Sequence, residues 1–364
     1  MIQRKTGIHI APPYHYIDSG QVYIEVPYRT DVDVRRIQIT GGSSFMITLP
    51  KEWAESVGLQ KNDPVGLQAQ PDGSMVIYPA GSDSSDRVST KVIEIGYDYN
   101  LDFLYRQLVG AYIAGHDVIE VVSDCDISST IAGRISSFVR TAIGLEIMEE
   151  DDRHIVIKDL MDQNEMRPIS SIERMRVLVR NMLNDVLDAL EYKDASLLEG
   201  IDGRDREVDR IHWLISRQVN IHQKDITISR RQGVDLCSIT RSGTIGRTIE
   251  RIGDHAVLLA ENLMPLIDDD ATDDVDAEIL RTGREVVVLF VDSVRTWVDR
   301  DVVNANRCIE HGEELVRRAL SISGMSDKLI GEPAIATEMI TSSVKRIAEY
   351  SMDICETAIN AAME

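Results

Sequence analysis

Two pairs of carboxylates in the second half of the chain have the spacing that places like charges on one helical face. Asp205 and Asp209 stand four residues apart within Asp205-Arg206-Glu207-Val208-Asp209, and Glu250 and Asp254 repeat the interval within Glu250-Arg251-Ile252-Gly253-Asp254-His255-Ala256. On a helix, residues four apart lie one turn apart on the same side. Two such pairs on facing antiparallel helices form a four-carboxylate box, costly unless protons or a cation neutralise it. A bound cation is the natural resolution, with Asp205, Asp209, Glu250 and Asp254 as its ligands. The competing reading is a solvated acidic face. Asp and Glu make up 61 of 364 residues, so an acidic neighbour four positions on arises often from composition alone.

The box requires helices around both motifs, and from Ile169 onward the chain reads as helical throughout. Met175, Val179, Met182, Val186 and Ala189 mark an amphipathic first helix. A second is expected over Ala195–Asn220 and a third over Cys237–Met264. The acidic break Asp268-Asp269-Asp270-Ala271-Thr272-Asp273-Asp274 precedes three more, over Val275–Val298, about Val302–Ser323 and Ala334–Met363. Ile249-Glu250-Arg251-Ile252-Gly253-Asp254 is echoed by Val344-Lys345-Arg346-Ile347-Ala348-Glu349, so the half reads as two three-helix units in series, 169–267 and 273–364. The second unit departs from the first. Lys345 stands where Glu250 stands, and the middle helix offers Gly312 and Val316, or Glu313 and Arg317, in place of an acidic pair. Lys345 is expected to neutralise Glu349.

Upstream the texture changes. Residues 1–33 read as a flexible extension, broken by Ala11-Pro12-Pro13-Tyr14 and Asp18-Ser19-Gly20, with Val22–Pro27 as its one possible short strand. From 34 to 80, Arg36–Thr40 and Phe45–Leu49 alternate with period two around Gly41-Gly42-Ser43-Ser44. Pro50 opens a short helix, Lys51–Val57, that Gly58 ends. Strands at Val65–Gln70 and Ser74–Tyr78 flank Pro71-Asp72-Gly73. A module of about 45 residues is too small for a core of its own, which predicts a dimer. Gly81 to Asp86 is a linker by composition, and 88–160 reads as a small βαβαββ domain with neither a GxGxxG nor a P-loop. The fold class is therefore multidomain α+β, ending in an all-α tandem of three-helix bundles.

Composition narrows the function. No nucleophile–base constellation is present. Asp209-Arg210-Ile211-His212 loosely approximates the Glu-x-x-His of carboxylate-bridged di-metal bundles, but no second copy lies on a facing helix, so an enzyme is not expected and no catalytic or organic-cofactor residues are assigned. His116 and His154 fall at strand edges, where a surface or core role is expected. The four cysteines, Cys125, Cys237, Cys308 and Cys355, lack any CxxC pair and read as small apolar side chains. The longest wholly apolar run, Val286–Val291, is far short of a membrane span, and no basic segment followed by an apolar one opens the chain, so no membrane insertion and a cytoplasmic location are expected. Net charge is −22, with 9 Lys against 30 Arg. That acid excess with scarce lysine resembles the bias of halophilic archaea, whose hydrated, self-repelling surfaces stay soluble when molar salt screens charge.

The tandem helices, with Asp194-Ala195 and the two acidic motifs, resemble the PhoU family. The resemblance implies a regulator of phosphate uptake and homeostasis acting on the ATPase subunit of a phosphate ABC transporter. It also implies divalent or trivalent metal at the acidic motifs: iron, zinc, manganese or magnesium. The hairpin segment, with its Leu49-Pro50-Lys51 and Asn62-Asp63, is similar to AbrB/SpoVT swapped-hairpin domains. That implies an interleaved homodimer, at least, which presents basic side chains to DNA as a transcription regulator. Arg35, Arg36 and Lys51 are then the DNA-contact candidates, for phosphate positioning and groove edges. The alternative is a hairpin used only for dimerisation, its cations balanced by Asp31, Asp33, Glu52 and Glu55, with regulation through protein contacts alone. Arg230 and Arg231 are further candidates, for an acidic partner.

Overall fold

In a computed structural model of the chain, the described residues are 33–40, 44–69, 73–79, 88–161, 167–224, 228–229, 234–268, 272–326 and 329–363. The strand expected at Val22–Pro27, most of the extension, the linker 81–86, the Gly41–Ser43 and Pro71–Asp72 turn residues, Asp269–Ala271 of the acidic break, and Arg230 and Arg231 lie outside them. The chain forms two compact units, 1–83 and 84–364.

The first unit holds two short antiparallel hairpins and one helix. β1 (Gln38–Thr40) pairs with β2 (Ser44–Met46), Ile39 opposite Phe45, and both are shorter than the alternating pattern predicts. α1 (Lys51–Ser56) follows Pro50, whose φ of −60° suits a helix start, and Gly58 leaves the helix at φ +72°. β3 (Val65–Ala69) pairs with β4 (Met75–Pro79). Two-stranded hairpins are marginal alone. Within one chain Ile37, Ile39 and Phe45 remain 66%, 70% and 76% exposed, and α1 buries no residue.

The second unit opens with β5 (Thr90–Ile95), α2 (Leu101–Ile113), β6 (Val118–Ser123), α3 (Ser129–Thr141), β7 (Leu145–Glu150) and β8 (His154–Asp159), in the βαβαββ order expected. The sheet order is β5-β6-β8-β7, parallel at β5/β6 and antiparallel elsewhere. Alternation puts Ile93, Ile119, Val121, Ile155 and Ile157 on one face, buried under Leu104, Leu108, Ile135 and Phe138 of the two helices. Asn100 and Ser128 cap those helices by accepting from the N–H groups of Phe103 and Ile131.

Six long helices complete the unit: α4 (Pro168–Tyr192), α5 (Ile201–Lys224), α6 (Leu236–Glu261), α7 (Asp273–Asp299), α8 (Val302–Ser323) and α9 (Glu332–Ala362). The second helix starts later than its pattern predicts. Ala195–Leu198 is a separate 3-10 turn capped by Asp194, and Gly200 at φ +77° breaks the chain before α5. Met175, Val179, Met182, Val186 and Ala189 are all buried in one core that draws on every one of the six helices. α4 packs on α7 and α6 on α9, while α5 lies on α6 and α8 on α9. No helix among the described residues is long and apolar enough to cross a membrane.

α5 also holds the α/β layer. Arg217, only 1% exposed, pairs with Asp159 at 2.6 Å and donates to the carbonyls of Tyr112 at 2.6 Å and His116 at 2.9 Å. Asn220 Nδ2 and Lys224 Nζ donate to the carbonyls of Ile113 and Ala114, so one face of α5 satisfies the carbonyls that the end of α2 leaves open. One turn below, Trp213 meets Tyr105 edge-on, and Arg210 donates to the carbonyl of Thr141. Cationic donors at a helix C-terminus also suit its dipole.

Candidate functional site

Nearer its N-terminus, α5 carries Asp205 and Asp209 toward α6, where Glu250 and Asp254 lie. Gly253 permits the approach, since a Cβ there would stand 3.3 Å from Asp205 Oδ1 and 3.5 Å from Val208 Cγ1. Asp205 and Asp209 are half-buried, Glu250 is 8% exposed and Asp254 faces solvent. The structure thus brings the four carboxylates into one electrostatic cluster. Burial pushes the Asp205 carboxyl up to about 6, helped by the charges of Asp209, Asp254 and Asp202. Burial also raises Asp209, with Asp254 adding to it. Glu250 is pushed up to about 7, by burial first and then by Asp254 against the opposing charge of Arg247.

Arg247 was not singled out by sequence. Its guanidinium meets Glu250 Oε1 at 2.6 Å, from the i, i+3 position that was available as a signal. His212, one turn beyond Asp209, is held neutral well into the acid range, its value lowered to about 4 by burial and by Arg247, and it pairs with Ser216. His255 is likewise lowered by burial, and its ring lies 5.8 Å from that of Tyr350 on α9.

Do these residues fit a metal ion? The buried oxygens Asp205 Oδ1 and Glu250 Oε2 have no hydrogen-bond partner, a costly arrangement that a cation would relieve. An all-carboxylate donor set suits hard cations. The chemistry fits, although among the described residues no three such side chains converge at metal-ligand spacing. The second repeat is resolved differently. Lys345 Nζ lies 3.6 Å from Glu349, with Arg346 at 2.8 Å, and Arg317 reaches Glu313 at 4.0 Å. At these positions each acid has a cation beside it.

The raised Glu250 value has a signed consequence. Its neutral form favours the fold at acid pH, and that contribution is lost as pH rises from about 4.5, the unfolded value, to about 7. In metal-free protein, Glu250→Gln is therefore expected to gain thermal stability on the native chain across that window and to keep the gain above it. Melting curves at stepped pH check this, and a pH-independent difference would count against it.

In the first unit, Arg35 pairs with Asp33 at 2.5 Å and Lys51 lies 3.4 Å from Glu55, while Arg36 is exposed. His116 Nδ1 pairs with Ser89 Oγ at 2.8 Å and His154 lies 3.6 Å from Glu120, the first just before β6 and the second at the start of β8.

Comparison with known proteins gives this arrangement its relatives. The PhoU domain model matches residues 172–263, and that of MazE, the antidote-toxin recognition bacterial antitoxin, matches 38–85. A phosphate-specific transport system accessory protein PhoU homolog of Clostridium acetobutylicum is 24% identical over 200 residues, 52% of this chain and 88% of that protein. The homolog of Caulobacter vibrioides is 36% identical over 91 residues, 25% of this chain and 37% of that protein. The crystal structure of PhoU from Pseudomonas aeruginosa aligns with a TM-score of 0.43 at 17% identity, covering 53% of this chain and 94% of that one. The PhoU match falls on α4 to α6, the repeat that holds both acidic motifs, and the MazE match falls on the hairpin segment before it.

Proposed function

We propose that the chain is a non-enzymatic regulator of phosphate transport whose PhoU domain holds a divalent or trivalent cation through Asp205, Asp209, Glu250 and Asp254. The supporting observation is the cluster itself: four carboxylates on two facing helices, two of them with buried oxygens that lack partners. A bound cation would neutralise that charge and tie α5 to α6. The chain's own residues do the rest. Arg247 offsets part of the charge at Glu250, Gly253 lets the helices close, and the C-terminal part of α5 carries the α/β layer. The partner in this reading is the ATPase subunit of a phosphate transporter, on the cytoplasmic side; the relatives' name, accessory protein of a phosphate-specific transport system, supports only the link to the transport system.

The hairpin unit supports assembly through its exposed Ile37, Ile39 and Phe45, which cover one another only across copies. Sedimentation of the full chain is expected to give at least twice the monomer mass of 40.8 kDa, with Ile39→Asp plus Phe45→Asp returning it to the monomer. DNA contact through Arg35, Arg36 and Lys51 is the transcription-linked form of the proposal. A second reading, protein contacts only, is favoured by the pairing of Arg35 with Asp33 and Lys51 with Glu55 inside the unit. A gel shift with DNA from upstream of phosphate-transport genes, at low and molar salt, separates them. A shift lost on Arg35→Ala plus Arg36→Ala supports DNA binding, and no shift at either salt selects the second reading.

A further inference from the structure

Outside the acidic cluster, the fold brings together two cysteines that the sequence keeps apart. Cys308 lies on α8 and borders an open cleft of about 520 Å³, also lined by Asp292, Arg295, Arg307 and His311. Cys355 lies on α9 and is fully buried, with Thr296 Oγ1 3.9 Å from its sulfur. Thr296 also lines the cleft that Cys308 borders, and the two cysteines stand close enough for each to shift the other's titration. The helices approach closely at this point. One turn beyond Cys308, a Cβ on Gly312 would stand 2.5 Å from Cγ of Met352, which precedes Cys355 by three residues. Such an approach is what a disulfide needs, because it spans Cα atoms only about 4.4–6.8 Å apart.

We infer that Cys308 and Cys355 form an oxidisable dithiol pair, converted by peroxide into an intrachain disulfide that staples α8 to α9. The roles divide by exposure. Cys308 meets solvent at the cleft, and the neighbouring Cys355 favours its thiolate, whereas Cys308 first and then burial hold Cys355 as the thiol. The Cys308 thiolate attacks peroxide, forming an S–O bond as the O–O bond breaks, and hydroxide leaves with a proton as water. Cys355 then attacks the sulfenic sulfur. The S–S bond forms, the S–O bond breaks, and the second oxygen leaves as water with the Cys355 proton. Two thiols and one hydrogen peroxide become one disulfide and two waters. The remaining cysteines, half-buried Cys125 and exposed Cys237, have no thiol neighbour among the described residues.

The test is peptide mapping of the full chain after mild hydrogen peroxide treatment. Two of the four thiols are expected to disappear, with a reducible cross-link between the peptides carrying Cys308 and Cys355 within one chain. Cys125→Ser plus Cys237→Ser should leave that cross-link intact. Cys355→Ser should stop Cys308 at a sulfenic acid that dimedone traps. Cys308 oxidised in the native chain without the cross-link would overturn the inference, as would Cys237 reacting while Cys308 stays reduced. The native peptide map decides without any variant having to fold.

Discussion

Arg217→Met is expected to destabilise the protein by about 3–5 kcal/mol, the cost of stranding one partner of a buried ion pair. Asp159 would be left with its side chain 3% exposed and no counter-charge, the carbonyl of His116 would lose the Arg217 donor, and that of Tyr112 would keep only the Gly115 N–H. With a urea slope near 3 kcal/mol/M, the midpoint falls by roughly 1–2 M. Arg346→Met is the control, because its exposed pair with Glu349 is worth less than about 1 kcal/mol. The double variant Arg217→Met with Asp159→Leu should recover much of the loss, since a well-packed apolar pair often substitutes for a buried ionic one. If the single variant unfolds with the native midpoint, the α/β layer is not docked as described.

The second large effect is expected at the junction of the two repeats. Lys193, which ends α4 in the left-handed conformation at φ +52°, donates to the carbonyl of Leu266 and to Asp276 Oδ2, both at 2.7 Å. Thr272 donates to the same carboxylate at 2.9 Å, and Asp276 is 4% exposed in the first turn of α7. One ammonium thus ties the end of α4, the chain after α6 and the start of α7. Lys193→Met leaves Asp276 buried without its cation, at a cost of about 2–3 kcal/mol once the partial exposure of Lys193 is allowed for. Burial already raises the Asp276 carboxyl above the usual range. Chemical denaturation of the variant checks the magnitude. A change under about 0.5 kcal/mol would mean that the junction rests on apolar packing alone.

Most of the architecture is legible in sequence because period and punctuation agree. The Met175 to Ala189 stripe predicts a buried helix face, and that face is in the core. The acidic break and the echoed Ile249 and Val344 motifs place the repeat boundary where α7 begins. Other features depend on neighbours that no local pattern encodes. The start of α5 was misplaced because Ala195–Leu198 has helical composition, while Gly200 and the cap at Asp194 divide it off. Nothing in the local pattern marks Arg210, Arg217 and Lys224; only the fold shows that they close the ends of α2 and α3. Cys308 and Cys355 read as two isolated apolar side chains because their contact depends on the register of two helices. Of the acidic cluster, the residue types and spacing were legible, and the counter-ion Arg247 was not.

These features make α5 the shared element of the second unit. Its N-terminal part carries Asp205 and Asp209 toward α6, and further along Arg217 and its neighbours reach into the α/β layer. In the proposed function, charge neutralisation near the start of α5 fixes the spacing of α5 and α6 and so the position of the layer docked further along it. The second repeat, with Lys345 already paired to Glu349, supplies packing without that dependence. The most direct measurement is metal content by elemental mass spectrometry on the full chain purified without chelators, together with melting curves before and after metal is removed. The account predicts at least one divalent or trivalent ion per chain, lost on Asp205→Asn plus Asp254→Asn, and a lower melting temperature once the ion is stripped. A native chain that carries no metal, and whose melting temperature responds neither to added ions nor to that double substitution, would contradict it.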